Sequence, residues 1–194
     1  MSILFLGSEK EPQLVLLDFL SNEGNTITKH EEKLNIENIV KCNYDFLISF
    51  GYRYMVRKEI LDYFKGKAIN LHISYLPWNK GADPNLWSIL EDTPKGVTIH
   101  QMDNRLDTGN ILCQKEIFFD ENDTLNSSYE KLQNELVKLF KLNWKNIKHN
   151  KVKPIKQKGK GTYHKSCDKN YYQELLTHGW ETKVKDLIGK AVND

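Results

Sequence analysis

Apolar and polar positions along the chain change period several times. SILFLG (2–7) and YDFLISFG (44–51) are short continuous apolar runs, each ending at a glycine. Runs of that length predict strands buried on both faces, as in a parallel sheet. KAINLHIS (67–74) is a third run of this kind and NTITKH (25–30) a weaker one. Helical patterns lie between them. In EPQLVLLDFLSNEG (11–24), Pro12 suits a first turn, Leu14, Leu17 and Leu20 supply one face, and Gly24 ends the helix. EEKLNIENIVKCN (31–43) holds a short helix. VRKEILDYF (56–64) is another, closed by Gly66, and DPNLWSILED (83–92) opens on an Asp83 N-cap with Pro84 behind it.

Strands alternating with helices predict an α/β fold: a Rossmann-like, mostly parallel twisted sheet with helices on both faces. The alternation breaks after residue 95. KGVTIHQMD (95–103) and NILCQKEIFF (110–119) read as two strands joined by NRLDTG, an antiparallel extension of the sheet. The longest helical pattern covers 124–148, with Thr124 as N-cap and Leu125, Tyr129, Leu132, Leu136, Leu139 and Phe140 on one face. Residues 1–150 are expected to form one domain. Residues 151–194, a lysine-rich loop and one or two small helices, are expected to be a short helical extension packed on it.

Composition narrows this picture only a little. The chain has 194 residues and a net charge of +2, so no overall field selects a partner. The charge is uneven: nine lysines and no acidic residue lie between Lys141 and Lys165. Such a run is solvated surface, a phosphate contact or a nucleic-acid footprint. It lacks the interleaved aromatics that stack bases, which argues against nucleic acid as partner. Cys42, Cys113 and Cys167 are odd in number and widely spaced, which fits neither a disulfide framework nor structural zinc and predicts a reducing, cytoplasmic setting. Cys42 and Cys113 read as inert core. The N-terminus lacks a basic n-region, and no apolar run approaches membrane-spanning length, so neither a signal peptide nor a membrane partner is expected.

Candidate chemistry centres on NLHISYLP (70–77) and DNRLDTGN (103–110). In a strand, Asn70 and His72 point to the same side. They stand at the carboxyl end of an expected parallel strand, where open α/β sheets bind ligands. An amide beside an imidazole can stabilise an oxygen that gains negative charge, and the imidazole can pass a proton. Asp107, in the later loop, is the carboxylate that would set the imidazole's tautomer. No P-loop, dinucleotide fingerprint or nucleophile elbow accompanies them. His164 reads as a surface loop residue.

INLHISYLPWNKGADPNLWSI followed by GVTIHQMDNRLDTGNIL resembles the catalytic core of the formyltransferases that use N10-formyltetrahydrofolate. That family's pattern is Asn-x-His in a strand, Ser-x-Leu-Pro, a basic residue with Gly, and a downstream Asp followed by x-Gly. The resemblance implies the formyltransferase fold, with 1–150 as the catalytic domain, and catalytic roles for Asn70, His72 and Asp107. It implies a folate pocket from Ser49, Phe50, Gly51, Tyr52, Arg53, Tyr54 and Met55 on one loop and His100, Gln101, Asp103 and Leu106 on another. Ser74, Tyr75, Trp78, Lys80 and Gly81 would lie towards the acceptor. No metal is implied.

The acceptor is expected from three branches of that family. The turn LGSEKEPQ lacks the glycine-rich phosphate loop of glycinamide ribonucleotide transformylases. The residues after the long helix are too few for the added domain of methionyl-tRNA formyltransferases. The run Gly-Ala-Asp-Pro-Asn-x-Trp resembles the enzymes that formylate nucleotide-linked amino sugars. The implied substrate is a dTDP-4-amino-4,6-dideoxyhexose, its product destined for a lipopolysaccharide O-antigen, and a homodimer is within that branch's pattern. A tRNA or other amine formyltransferase, a formyltetrahydrofolate hydrolase and a nucleic-acid-binding module are the alternatives. A diphosphate contact at Lys156 and Lys158 is a further hypothesis.

Overall fold

A computed structural model describes residues 1–120 and 122–191. Its centre is a six-stranded sheet in the order β2-β1-β3-β4-β6-β7. The strands are β1 (Ser2–Leu6), β2 (Thr26–His30), β3 (Phe46–Phe50), β4 (Ala68–His72), β6 (Gly96–Gln101) and β7 (Ile111–Glu116), and a two-residue β5 (Lys80–Gly81) pairs apart from them with β8 (Tyr163–His164). β1 to β4 are parallel, while β6 pairs antiparallel with both β4 and β7, as the broken alternation after residue 95 predicts. β1 and β3 are almost wholly buried, consistent with their continuous apolar runs.

Five helices accompany the sheet among the described residues: α1 (Gln13–Asn22), α2 (Ile36–Cys42), α3 (Lys58–Phe64), α4 (Pro84–Leu90) and α5 (Leu125–Lys148). The α1 face that enters the core is Gln13, Leu16, Leu17 and Leu20. Leu14, expected there, is 37% exposed, because a helix that begins at Gln13 turns position 14 outward. Cys42 is also exposed rather than core, since it ends α2 on the solvent side.

On one sheet face, α1 and α5 pack around Phe46, Phe140 and Trp144. Trp144 is fully buried and meets Phe46 edge-on at 5.3 Å. Thr124 caps α5, its side chain accepting from the Ser127 N–H while the Ser127 hydroxyl accepts from the Thr124 N–H. The opposite face packs α2 and α3 on Leu4, Leu6 and Leu47. Asp83 does not cap α4. It takes φ +51 and pairs its carboxylate with Lys169 at 3.1 Å. After α5, 3-10 turns at Asp168–Leu175, Gly179–Glu181 and Val184–Asp186 stand where small helices were expected, and Val184 and Leu187 are buried against α4. No helix among the described residues is long and apolar enough to cross a membrane.

Candidate active site

The parallel strands end on one edge of the sheet, and β4 contributes Asn70 and His72 there. Pairing with antiparallel β6 sets Asn70 opposite His100 and His72 opposite Thr98. Opposed residues share a face, so the register alone places an amide and two imidazoles together. The β6–β7 pairing shifts register between Ile99 and His100, an irregularity of the kind that re-aims a side chain beside a site.

Asp107 arrives from the β6–β7 loop and is 6% exposed. Its Oδ1 accepts from Asn70 Nδ2 at 3.1 Å and lies 3.4 Å from His100 Nε2. Its Oδ2 accepts from the Gly81 N–H at 2.9 Å and lies 3.8 Å from His72 Nε2. His72 Nε2 also meets the Asn79 carbonyl at 3.1 Å. Both groups near Nε2 are oxygen acceptors, so Nε2 carries the proton and Nδ1 keeps its lone pair. His100 Nδ1 donates to the Gln101 carbonyl at 2.8 Å, which turns His100 Nε2 towards Asn70 Nδ2 at 3.3 Å.

Burial pushes the His72 imidazole below its ordinary value, against the pull of Asp107. Burial alone would raise the Asp107 carboxyl. The His72 ring, the contact with His100 and the Gly81 N–H outweigh it and hold Asp107 well below the usual carboxylate range. At neutral pH the site therefore holds a neutral imidazole beside a carboxylate anion. That pair can stabilise an imidazolium that forms transiently.

The lysine-rich segment has a structural task that its composition does not announce. Ile155 exchanges two backbone hydrogen bonds with Ile111, both 2.8 Å. Gln157 Nε2 donates to the carbonyls of Asp107 and Gly109, both at 2.8 Å. This pins a turn in which Asp107 takes φ +53, a conformation that costs a non-glycine residue energy. Thr162 Oγ1 accepts from the Asn79 N–H at 2.9 Å, and a Cβ on Gly161 would collide with the Pro77 carbonyl. The strap from 155 to 164 thus holds both loops that carry the site, while Lys156 and Lys158 face solvent.

A cleft borders the cluster, and Asn70, His100 and Asp107 form its inner wall. Of the expected folate residues, Ser49, Tyr52, Tyr54, Met55, His100, Asp103 and Leu106 line it. Val56, Met102 and Arg105, not expected, complete it. Phe50, Gly51, Arg53 and Gln101 do not line it. Phe50 alternates with Ser49 along β3 and points into the core, where it is 2% exposed. Gly51 and Arg53 are exposed, and the Gln101 side chain accepts from Asn110 instead.

The expected acceptor residues divide in the same way. The Gly81 N–H serves Asp107. Ser74 is 1% exposed and its hydroxyl donates to the Trp78 carbonyl, a loop-closing contact. Lys80 Nζ donates to the carbonyls of Pro77 at 2.8 Å and Lys160 at 3.2 Å, tying the loop to the strap. Tyr75 packs beside Gly96, and Trp78, half-buried, closes a turn on the Tyr75 carbonyl. His164 is not a surface residue. Its ring stacks on Trp87 at 3.7 Å between centroids and meets Glu91 at 3.0 Å.

The model of the formyl transferase family matches residues 7–142. Among solved structures, the formyltransferase PseJ from Anoxybacillus kamchatkensis, in complex with UDP-4,6-dideoxy-4-formamido-L-AltNAc and tetrahydrofolate, is 51% identical. The match covers 98% of this chain and 100% of that one, with a TM-score of 0.94. The N-formyltransferase from Helicobacter canadensis, in complex with folinic acid and dTDP-3-aminofucose, shares the fold at 21% identity, covering 86% and 71% of the two chains with a TM-score of 0.73. Among curated proteins, the methionyl-tRNA formyltransferase of Clostridium botulinum is 33% identical over 158 residues, 81% of this chain and 50% of that protein. The chain spans about half the length, or less, of the curated relatives it matches.

Proposed function

The chain belongs to the formyl transferase family, and on that premise we propose that it is an N-formyltransferase. It carries the formyl group of N10-formyltetrahydrofolate to the 4-amine of a nucleotide-linked 4-amino-4,6-dideoxyhexose. The observation that carries this reading is the Asn70–His72–Asp107 cluster, with an anionic Asp107 and a neutral His72 behind the wall that Asn70 and Asp107 give the cleft. The 51% identity to PseJ over nearly the whole chain favours the sugar acceptor over methionyl-tRNA, and UDP over the dTDP expected from the sequence.

The reaction forms a C–N bond at the formyl carbon, passes through a tetrahedral oxyanion, and breaks the bond to N10. One N–H of Asn70 is held by Asp107. The other rests on a long 3.3 Å contact to His100 and is the one left to serve the oxyanion. The attacking amine must lose a proton and N10 must gain one. His72 Nδ1 accepts and returns it, and the imidazolium formed in between is held by Asp107 and the Asn79 carbonyl. Gly81 and Asn70 lock the carboxylate in place for that task. The cleft lined by Tyr52, Tyr54 and Met55 takes the pterin. Free, widely spaced cysteines and a reduced-folate donor accord with a cytoplasmic setting.

The test is a transfer assay with N10-formyltetrahydrofolate and a panel of UDP- and dTDP-linked amino sugars, with methionyl-tRNA included and His72→Asn as control. Formylation of one nucleotide-linked sugar, lost in the variant, is the expected result. Formylation of tRNA alone, or donor hydrolysis with no formylated acceptor, overturns the sugar assignment.

A further inference from the structure

Seven non-glycine residues among those described take a left-handed φ. Only two of them are buried, Asn79 at φ +55 and Asp107 at φ +53. Both aim an oxygen at the same atom: His72 Nε2 lies 3.1 Å from the Asn79 carbonyl and 3.8 Å from Asp107 Oδ2. A left-handed turn does not itself require burial, since Asn43 and Asn150 hold φ +50 and +54 on the exposed surface. Backbone strain kept in the interior and directed at one imidazole points to a functional constraint. The carbonyl is the nearer oxygen, so it is Asn79 that the resting imidazole bonds.

Every polar atom of Asn79 is engaged, and the partners come from separate parts of the chain. Oδ1 accepts from Thr93 Oγ1 at 2.8 Å. Nδ2 donates to Glu91 Oε2 at 3.2 Å and to Thr162 Oγ1 at 3.3 Å, and the backbone N–H donates to Thr162 Oγ1 at 2.9 Å. Glu91 ends α4, Thr93 lies just beyond it, and Thr162 belongs to the strap. Glu91 is steadied in turn by His164, whose ring stacks on Trp87. Asn79 is thus held by its side chain and by its N–H, which leaves its carbonyl one direction.

Resting on the function proposed above, we propose that Asn79 is a positioning residue for the transfer reaction. Its side chain, clamped by Thr93, Glu91 and Thr162, aims its carbonyl at His72 Nε2. The carbonyl keeps the proton on Nε2 and the ring in place, so that Nδ1 stays the base, while Asp107 answers the charge that forms on the ring. Orientation and charge stabilisation of His72 are then divided between two residues, one neutral and one anionic.

The test is nitrogen NMR on protein labelled at histidine, beside steady-state transfer kinetics, with the His72 signals identified by their loss in His72→Gln. The wild type is expected to show the Nε2–H tautomer. Thr93→Val keeps the shape of the side chain and removes the donor to Asn79 Oδ1, and Thr93→Ser restores it. The other titratable groups that face His72 are Asp107, His100 and Lys80, and Thr93→Val alters none of them. The Asn79 carbonyl supports the protonated ring, so in Thr93→Val His72 should titrate at lower pH than in the wild type. There kcat should fall about tenfold, with KM for folate and sugar unchanged. Thr93→Ser should recover both. If Thr93→Val unfolds, Asn79→Gly, which accepts φ +55 without strain, carries the test. The proposal is overturned if wild-type His72 carries its proton on Nδ1, or if a folded variant lowers Tm while His72 titrates as in the wild type. A shifted His72 titration in a protein that formylates no nucleotide-linked sugar would instead sink the proposed function and leave the positioning of His72 standing.

Discussion

Replacing Asp107 by Asn keeps the shape of the side chain and removes the only carboxylate in the cluster. The four groups around it are not indifferent to the change. Oδ1 serves Asn70 Nδ2 at 3.1 Å and Oδ2 serves the Gly81 N–H at 2.9 Å. An amide has one acceptor oxygen and one NH2, so either Asn70 or Gly81 then faces a donor. Leaving a buried donor unpaired costs about 1–3 kcal/mol. The larger loss comes in the transition state. His72 Nε2 is 3.8 Å from Oδ2, and at an effective dielectric of about 20 that separation gives a charge pair about 4 kcal/mol. An imidazolium forming at His72 loses that support, so kcat should fall about a thousandfold. KM for the folate and for the sugar should change only slightly, because the interaction is made in the transition state. His72 also loses the charge that holds its proton affinity up, so the pH dependence of kcat/KM should shift further towards acid. The assay is steady-state transfer across pH, with circular dichroism to confirm that the variant is folded. A folded Asp107→Asn enzyme whose kcat stays within tenfold of wild type would refute the role given to the carboxylate.

Three further outcomes follow from the geometry. Gln157→Leu removes both donors from the Asp107 turn and should lower kcat at least tenfold with little change in KM, while Gln157→Glu, which can keep neither N–H, should not rescue it; a variant that lowers Tm alone would reduce Gln157 to a structural residue. Gly161→Ala meets the Pro77 carbonyl and a φ of +60, so chemical denaturation should show a loss of about 1–3 kcal/mol, and unchanged stability would mean that the strap is not seated on the loop. Stability should also fall as pH drops below about 6.5, because the unfolded chain's His72 takes up a proton before the buried folded one does, with a slope of at most about 1.4 kcal/mol per pH unit. Asp107 acts at lower pH, its contribution present above about 4 and lost as pH falls through its depressed folded value. Urea melts between pH 7.5 and 5.5 on wild type and His72→Gln test the first of these, and equal slopes would exclude His72 as the source.

The strands and the juxtaposition of Asn70 with His72 are legible because their signals are local. A period of two puts Asn70 and His72 on one face wherever the strand lies, and apolar runs closed by glycine mark β1 and β3. Helix faces carry a weaker local signal. The pattern gave Leu14 to the core because helix phase depends on where the first turn starts. His100 was legible only as part of a folate loop, although the β4–β6 register sets it against Asn70. Ser74 and Lys80 stand in a motif that points to the acceptor, yet their polar atoms close the loop on Trp78, Pro77 and Lys160.

The sequence by itself determined an α/β sheet with an antiparallel edge and the pair on β4, and it singled out Asp107 as the partner carboxylate, because backbone periodicity and short motifs are properties of neighbouring residues. Only the tertiary structure decided that Gln157, fifty positions from Asp107, holds the Asp107 turn, and that a lysine-rich segment straps the site. It alone set Thr93 and Thr162 around Asn79. Those contacts are made by side chains far apart in the chain. Their positions depend on sheet register and loop closure, which no local pattern of apolar and polar residues encodes.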